Sequence, residues 1–267
     1  MIKFSKLINA MTNPKAAIAN ICQRYLDGYN GYSYDFFENG ESDLIANISR
    51  ISPKVVFDVG ANVGDWTSIA SDLLPNTNFH CFELSKKTFK TLSGRLNRES
   101  IILNNVGLAE KNGTFTYKDY GENSGVNTIL LDATYHDNRI KPTIIEANLT
   151  TGDIYCYNNG INKIDFLKID VEGAEHLVLQ GFSEMFSKKA IRSVQFEYGY
   201  TNGDSRFLMR DFYKFFKEKG YIVGRVRKGP ITFREWIYRD NDFTSGPNYV
   251  AIRENDEEMV TLLTKKK

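Results

Sequence analysis

The feature that most constrains the fold is a regular alternation, from Lys54 onward, between short apolar runs and helical segments. Apolar runs such as Val55-Val56-Phe57 are typical of strands that other elements cover on both faces. Strands that alternate with helices indicate βαβ units and a parallel sheet. The sequence contains seven such runs, at residues 55–60, 79–84, 101–108, 164–171, 191–199, 221–226 and 248–253. We therefore predict one α/β domain around a seven-stranded, mostly parallel sheet with helices on both faces.

The chain of 267 residues divides into three predicted parts. Residues 1–52 form a helical N-terminal extension, residues 53–255 form the α/β domain and residues 256–267 form a C-terminal tail. The strand–helix rhythm breaks over about residues 113–153, where the runs FTYKDY and VNTILL predict an extra hairpin. This insertion is a candidate substrate-binding element, because connecting segments often carry binding residues.

The extension ends in an aromatic cluster, made of Tyr25, Tyr29, Tyr32, Tyr34, Phe36 and Phe37. These side chains form either a lid over an acceptor, since sugars stack on aromatic faces, or a hydrophobic edge of the extension. In the second interpretation the edge packs on the domain or on a second copy of the chain, so a homo-oligomer is one possible assembly.

Composition excludes several classes of protein. The 34 Lys and Arg residues balance 33 Asp and Glu residues, which argues against binding nucleic acid through a strongly basic face. The sequence has no run of 18 apolar residues, so we expect no transmembrane helix. The cysteines, Cys22, Cys81 and Cys156, are odd in number and widely spaced, which favours reduced thiols in a cytoplasmic protein over a disulfide framework or a zinc site.

A glycine loop between a strand and a helix predicts the main ligand site. The stretch Gly60-Ala61-Asn62-Val63-Gly64 follows the first strand and precedes a helix that begins near Asp65. Glycines allow close approach of the backbone to a ligand, and the helix start offers free N–H groups. Glu83 ends the second strand about 20 residues further on, where a carboxylate accepts ribose hydroxyls in dinucleotide-binding folds. The pattern predicts an adenosine-containing ligand.

Asp58, just before the loop, distinguishes between two adenosine-containing ligands, a nicotinamide dinucleotide and S-adenosylmethionine. The nicotinamide fingerprint is GxGxxG, whereas this chain has GxNxG preceded by Asp58. An acidic residue at the strand end repels a pyrophosphate but suits the cationic amino group of an amino acid. S-adenosylmethionine combines adenosine with an amino acid, and it is the predicted cofactor.

Acidic residues at two further strand ends predict a second part of the site. The fourth predicted strand ends at Asp170 and is followed by Glu172, Glu197 ends the fifth, and His176 lies in the helix between them. The carboxyl ends of parallel strands meet at the ligand-binding edge of an open α/β sheet, so these acids should lie beside the sulfonium. Three interpretations stay open. The acids orient cofactor and acceptor with one as general base; they bind a divalent ion; or they cap the next helix. His176 is a weak candidate base.

Three further features each have a functional and a structural interpretation. Lys168, inside the fourth predicted strand, is either a partner of neighbouring acids such as Asp58 or a catalytic lysine. The Asn-rich segment 123–128 is either an acceptor-binding loop or a turn. Arg225, Arg227 and Lys228 either meet a phosphate or an acidic sugar or form a solvated strand end.

Three motifs carry a family resemblance. DVGANVGDWT, FELSKKTFKTL and KIDVEGAEHLVLQG together resemble the FkbM-type family of S-adenosylmethionine-dependent methyltransferases, over roughly residues 39–253. The resemblance implies a class I methyltransferase (Rossmann-like) fold with an antiparallel last strand. It implies that the methionine end of the cofactor is wrapped by Asp58, Gly60, Asn62 and Gly64. It also implies that Glu83 holds the ribose, that Asn105 lies near the adenine and that the Asn-rich segment lies near the active site.

The predicted function is O-methylation of a sugar hydroxyl, on a cell-surface glycan or a glycosylated metabolite. The hydroxyl and the sugar follow from the resemblance alone, and the predicted partner is a small-molecule or glycan acceptor rather than nucleic acid. One alternative is methylation of RNA or protein, which the near-neutral charge disfavours. The other is a methyltransferase-like fold that serves as a binding or scaffold module, which the intact glycine loop and Glu83 disfavour.

Overall fold

A seven-stranded sheet forms the centre of the structure, a computed structural model that describes residues 13–121, 123–134, 140–243 and 246–265. Its strands lie in the order β3-β2-β1-β7-β8-β10-β9. Their bounds are β1 Val55–Val59, β2 Asn78–Phe82, β3 Ile101–Asn104, β7 Phe166–Ile169, β8 Ser193–Glu197, β9 Tyr221–Arg225 and β10 Asn248–Arg253. Neighbouring strands are parallel except at β10, which runs antiparallel to both β8 and β9. All seven predicted strands and the reversed last strand are confirmed.

The central strand β1 shows why the sheet is covered on both faces. Four of its five residues are buried, and successive side chains point to opposite faces. Phe57 packs into a core with residues of β7 and β8, whereas Val56 packs into a second core on the other face. Helices supply the outer layers of both cores, as the continuous apolar run predicts.

Helices connect the strands and cover the sheet. In the described part of the chain they are α1 Pro14–Asn30, α2 Glu41–Ile48, α3 Asp65–Leu73, α4 Lys86–Arg95, α5 Gly152–Asn158, α6 Glu175–Gln180, α7 Ser183–Ser187, α8 Thr201–Ser205, α9 Met209–Glu218 and α10 Glu257–Thr264, with 3-10 turns at Ser49–Ile51 and Tyr238–Asn241. α9 buries Met209, Phe212 and Phe216 on one stripe. None of the described helices is long and apolar enough to cross a membrane.

The insertion forms a small separate sheet with the strand order β4-β6-β5. Its strands are β4 Gly107–Leu108, β5 Gly113–Asp119 and β6 Thr143–Thr150. The run FTYKDY, which lies in β5, does not pair along its length with VNTILL as predicted. Instead β5 pairs antiparallel with β6, and VNTILL contributes one bridge, between Lys118 and Thr128. Pairing with a distant strand was missed because local turn signals do not report it.

The two ends of the chain are helical where the structure describes them. α2 buries Leu44, Ile45 and Ile48, whereas α1 buries none of its residues. The segment 256–267, expected to be a tail, is helical over Glu257–Thr264. Asp256 caps this helix, and Met259 and Leu263, which lie four residues apart on one face, are buried. The domain boundary after residue 52 remains a prediction.

Candidate active site

A cleft of about 680 Å³ lies at the carboxyl ends of β1, β2 and β7. The polar residues and glycines along it are Gly60, Asn62, Glu83, Gly107, Ser124, Gly125, Asn127, Asp170 and Glu172. The cleft therefore brings together the glycine loop, the predicted ribose carboxylate, the Asn-rich segment of the insertion and two of the predicted acids.

The glycine loop turns tightly over the ends of the neighbouring strands. Gly60 has a φ of +83°, and a Cβ there would lie 1.8 Å from the main-chain oxygen of Asp170. The N–H groups of Gly60 and Ala61 both donate to the carbonyl of Phe82, at 3.0 and 2.9 Å. Only glycine fits this position. Gly64 lies outside the cleft lining, because it packs against Leu92 and Leu96.

Glu83 is buried at the floor of the cleft and holds the glycine loop. Its Oε2 accepts a hydrogen bond from the N–H of Asn62 at 3.0 Å, and its Oε1 accepts one from the N–H of Ser85 at 2.8 Å. Burial raises the pKa of Glu83 to about 7, although both hydrogen bonds lower it. Asn105 lies beneath the cleft, where its Nδ2 donates to the carbonyl of Glu83 at 2.8 Å. Its side chain is therefore occupied with the backbone.

Two buried polar atoms in the cleft lining have no hydrogen-bond partner. They are Oδ1 of Asn62 and Nδ2 of Asn127. Buried amides are normally satisfied, so an unpartnered acceptor and an unpartnered donor in one cleft indicate that a polar ligand completes them. A ligand with both hydroxyl or amino donors and ring or carboxylate acceptors, such as S-adenosylmethionine, fits this pair.

Asp58 lies under the loop rather than in the cleft, which corrects its expected contact with a ligand amino group. Its carboxylate is fully buried and accepts hydrogen bonds from Thr67 Oγ1 at 2.6 Å and from Lys168 Nζ at 3.1 Å. The structural interpretation of Lys168 is thereby supported, because its ammonium also lies 3.3 Å from Asp170 Oδ2. Burial lowers the pKa of Lys168, but Asp58, Asp170 and Glu41 outweigh it and raise the pKa above its usual value.

The three predicted acids meet beside the cleft. Asp170, Glu172 and Glu197 each offer a carboxylate oxygen, and these atoms lie within 4.8 Å of one another. Burial, followed by the charges of Asp170 and Glu172, raises the pKa of Glu197 well above its usual range, and Glu197 shares a hydrogen bond with Asp170. The same oxygens form a possible set of ligands for a divalent ion.

Glu175 holds the loop that carries the acids, a role that the sequence analysis missed. Its Oε1 accepts from the N–H groups of Val171 and Gly173, both at 3.1 Å, and its Oε2 accepts from Asn202 Nδ2 at 3.2 Å. Glu172 between them has a φ of +56°, a strained value for a residue other than glycine. Burial raises the pKa of Glu175 to about 7.

His176 packs against an aromatic ring outside the cleft lining. His176 stacks on Phe207 with ring centroids 4.9 Å apart, and it does not line the cleft. Burial lowers its pKa, so the imidazole is neutral at pH 7. This placement matches a packed histidine and not the weakly predicted base. His136 lies outside the described residues.

The N-terminal extension contributes to this edge of the sheet. Glu41, at the start of α2, is buried and accepts hydrogen bonds from Asn39 Nδ2 at 2.6 Å and Gln195 Nε2 at 2.5 Å. Burial raises the pKa of Glu41, and Lys168 lowers it. Burial and the hydrogen bond from Tyr32, followed by the charge of Glu197, raise the pKa of Tyr34. Within the aromatic cluster Tyr25, Tyr29 and Tyr34 are all exposed, and Tyr34 shares a hydrogen bond with Tyr32.

The strand order and the single reversed strand are those of the class I methyltransferase fold. The model of the FkbM methyltransferase domain matches residues 58–223, more than half of the sequence. The chain belongs to this family of S-adenosylmethionine-dependent methyltransferases. A comparison with curated proteins found no match.

Solved structures with related folds are distant in sequence. An FkbM methyltransferase from Methylobacillus flagellatus KT is 13% identical with a TM-score of 0.46, over 75% of this chain and 44% of that one. The chain therefore spans less than half of that protein. A putative caffeoyl-CoA O-methyltransferase from Staphylococcus aureus is 10% identical with a TM-score of 0.44, over 95% and 100% of the two chains. A putative RNA methyltransferase from Pyrococcus horikoshii is 14% identical with a TM-score of 0.40, over 80% of each chain.

Replacing Glu83 by Gln should weaken S-adenosylhomocysteine binding by about 1–3 kcal/mol, because a charged acceptor for the ribose hydroxyls is lost. Wild-type affinity should also rise as the pH increases through about 7, since hydroxyls donate to the ionised form of Glu83. Calorimetry over this pH range checks both effects. If the variant keeps the wild-type affinity and pH profile, Glu83 does not contact the ligand.

Proposed function

We propose that the chain is an S-adenosylmethionine-dependent O-methyltransferase that acts on a sugar hydroxyl. The observation that carries the proposal is the cluster of Asp170, Glu172 and Glu197 beside the cleft. A hydroxyl is a weak nucleophile, and a positioned base within reach of its proton assists its attack. Two of these acids line the cleft itself, so a base and a cofactor site share one edge of the sheet.

Different residues of the cleft bind different parts of the cofactor. Glu83 accepts the ribose hydroxyls, the backbone at Gly60 allows close approach, and the unpartnered amide atoms of Asn62 and Asn127 bind polar groups. Asp170 offsets positive charge on the ligand. The bound cofactor supplies an electrophilic methyl group, and the protein supplies alignment.

Asp170 is the proposed base. Its side chain lines the cleft and is 42% exposed, so an acceptor can reach it, whereas Glu197 does not line the cleft and has a raised pKa. Lys168 fixes Asp170 from below through their contact of 3.3 Å. The acceptor proton therefore passes to a carboxylate that is held by Lys168 and Glu197 on two sides.

The sugar is proposed from the aromatic side chains and from the family. Tyr32 and Tyr34 are joined by a hydrogen bond of 2.7 Å between their hydroxyls, and Tyr34 is exposed. An exposed tyrosine offers a ring face for stacking and a hydroxyl for hydrogen bonding. Both groups suit a sugar ring.

Transfer of a deuterated methyl group from S-adenosylmethionine to a panel of sugars, nucleosides, RNA and peptides tests this function. We expect a methyl ether on a sugar, identified by NMR, and no product on the matched deoxy sugar. Methylated RNA or protein as the main product would contradict the sugar assignment. Cofactor binding without transfer to any of these acceptors would favour a binding module.

Binding of a divalent ion is the alternative role of the three acids. An ion there would polarise a sugar diol instead of leaving Asp170 to accept a proton directly. Turnover after removal of metal by a chelator, with and without added Mg²⁺ or Mn²⁺, separates the two roles. Unchanged turnover supports Asp170 as a direct base, whereas loss that added metal restores supports the ion.

A further inference from the structure

Arg225 lies at the same edge of the sheet as the acids but takes no part in the proposed methyl transfer. It ends β9, which runs in the same direction as β8 because both are antiparallel to β10. In β10, Asn248 pairs with Glu197 and the next residue, Tyr249, pairs with Arg225. Two strand spacings, about 10 Å, therefore separate the backbone of Glu197 from that of Arg225.

The guanidinium of Arg225 has no carboxylate partner among the described residues. Its Nη2 donates to the main-chain oxygen of Asn30, and its Nε is buried without a hydrogen-bond partner. Another arginine of the sheet, Arg192, instead pairs with Asp256 at 2.6 Å and with Glu258 at 2.5 Å. Arg225 is partly buried, and partly buried charges usually have a charged partner, so the absence of a carboxylate partner is unusual.

The surroundings of Arg225 increase its need for an anion. Burial is the main cause that lowers its pKa, and the positive charges of Arg227 and Arg234 lower it further, whereas Tyr249 and Asp240 raise it. A Cβ at Gly246 would lie 3.5 Å from Nε of Arg225, so the backbone of Gly246 lies close to this nitrogen. A carboxylate or phosphate matches the planar guanidinium through two parallel hydrogen bonds.

The extension contacts this arginine. Asn30, at the end of α1, accepts a hydrogen bond from Arg225 through its main-chain oxygen. The acids repel an anionic substituent, so such a group lies at the Arg225 end and turns the opposite side of the sugar towards Asp170.

We propose that the acceptor sugar carries an anionic group, a phosphate or a carboxylate, which Arg225 binds and which selects the hydroxyl presented to Asp170. This inference rests on the proposed function. Arg225 is thus a specificity-determining residue of the acceptor site.

The test compares three probes in the presence of S-adenosylhomocysteine: glucose, glucose 6-phosphate and glucuronate. Binding is measured by calorimetry for the wild type, for Arg225→Gln and for the matched control Lys228→Gln, which removes an exposed positive charge from the same turn. We expect at least one anionic sugar to bind about tenfold or more tightly than glucose. Arg225→Gln should abolish this preference, and Lys228→Gln should keep it.

A second readout does not depend on the sugar. The Nε–H resonance of Arg225 in the wild-type protein is followed by NMR during titration with inorganic phosphate and with each sugar, and we expect the anions but not glucose to shift it. If Arg225→Gln does not fold, Arg225→Lys is used, because it keeps the positive charge but lacks the planar guanidinium. This variant should retain only part of the preference for anionic sugars over glucose. The tighter of the two anionic sugars identifies the anion as phosphate or carboxylate.

Three results would overturn the inference: an Nε–H resonance that no anion shifts, equal binding of glucose and the anionic sugars, or an anion preference that Arg225→Gln retains. Failure of the proposed function has a different signature. In that case S-adenosylhomocysteine does not bind, whereas inorganic phosphate still shifts the Arg225 resonance and supports the anion site.

Discussion

Asp170→Asn should lower turnover by about 10²–10⁴-fold, because an amide cannot accept the proton of the attacking hydroxyl. Affinity for S-adenosylhomocysteine should change by only about threefold, since the glycine loop and Glu83 hold most of the ligand. Turnover and calorimetric affinity are measured on the same preparation. The contrast between the two quantities distinguishes a base from a residue that only shapes the cleft.

Asp65→Asn is the matched control for this prediction. Asp65 also follows the glycine loop, but its side chain is 71% exposed and pairs with Arg95 at 2.6 Å. Its replacement should leave turnover close to that of the wild type. If Asp170→Asn keeps wild-type turnover, the base lies elsewhere, and Glu172 and Glu197 are the next residues to replace.

Lys168→Met should destabilise the protein by about 3–5 kcal/mol, because it leaves the buried carboxylate of Asp58 without its cation. Asp58 is fully buried and Lys168 is 5% exposed, so water cannot replace the lost partner. The free energy of unfolding in urea measures the effect. The exposed pair of Lys217 and Glu235 gives the control, for which Lys217→Met should cost about 1 kcal/mol or less.

A double variant tests the cause of this destabilisation. Asp58→Asn combined with Lys168→Met removes the unpaired buried charge, so the double variant should be more stable than Lys168→Met alone. A double variant as unstable as the sum of both single variants would show that packing, and not the ion pair, determines the effect.

Local patterns were sufficient to predict the sheet. The apolar runs predicted β1, β2, β7 and β8 because strands covered on both faces are rich in apolar residues. The partner of β5 was not predicted, since its pairing with β6 depends on a long-range contact. The helix Glu257–Thr264 was not predicted, because only two of its residues, Met259 and Leu263, are buried and the apolar pattern is short.

The site was predicted best where a residue's position follows from a strand end. Glu83, Asp170, Glu172 and Glu197 all lie at the carboxyl edge, as parallel strands require. Asp58 was placed in the cleft wrongly, because the sequence does not show that Lys168 and Thr67 satisfy it from below. Nor does spacing show that Glu41 reaches this edge from the extension, since that contact depends on how α2 packs.

Calorimetric titration of the purified protein with S-adenosylhomocysteine tests the central claim most directly. We expect one site with micromolar affinity in the wild type, and weaker binding in Glu83→Gln. Absence of heat from binding at millimolar ligand, in a protein shown to be folded by its cooperative unfolding, would contradict the assignment of the cleft to this cofactor.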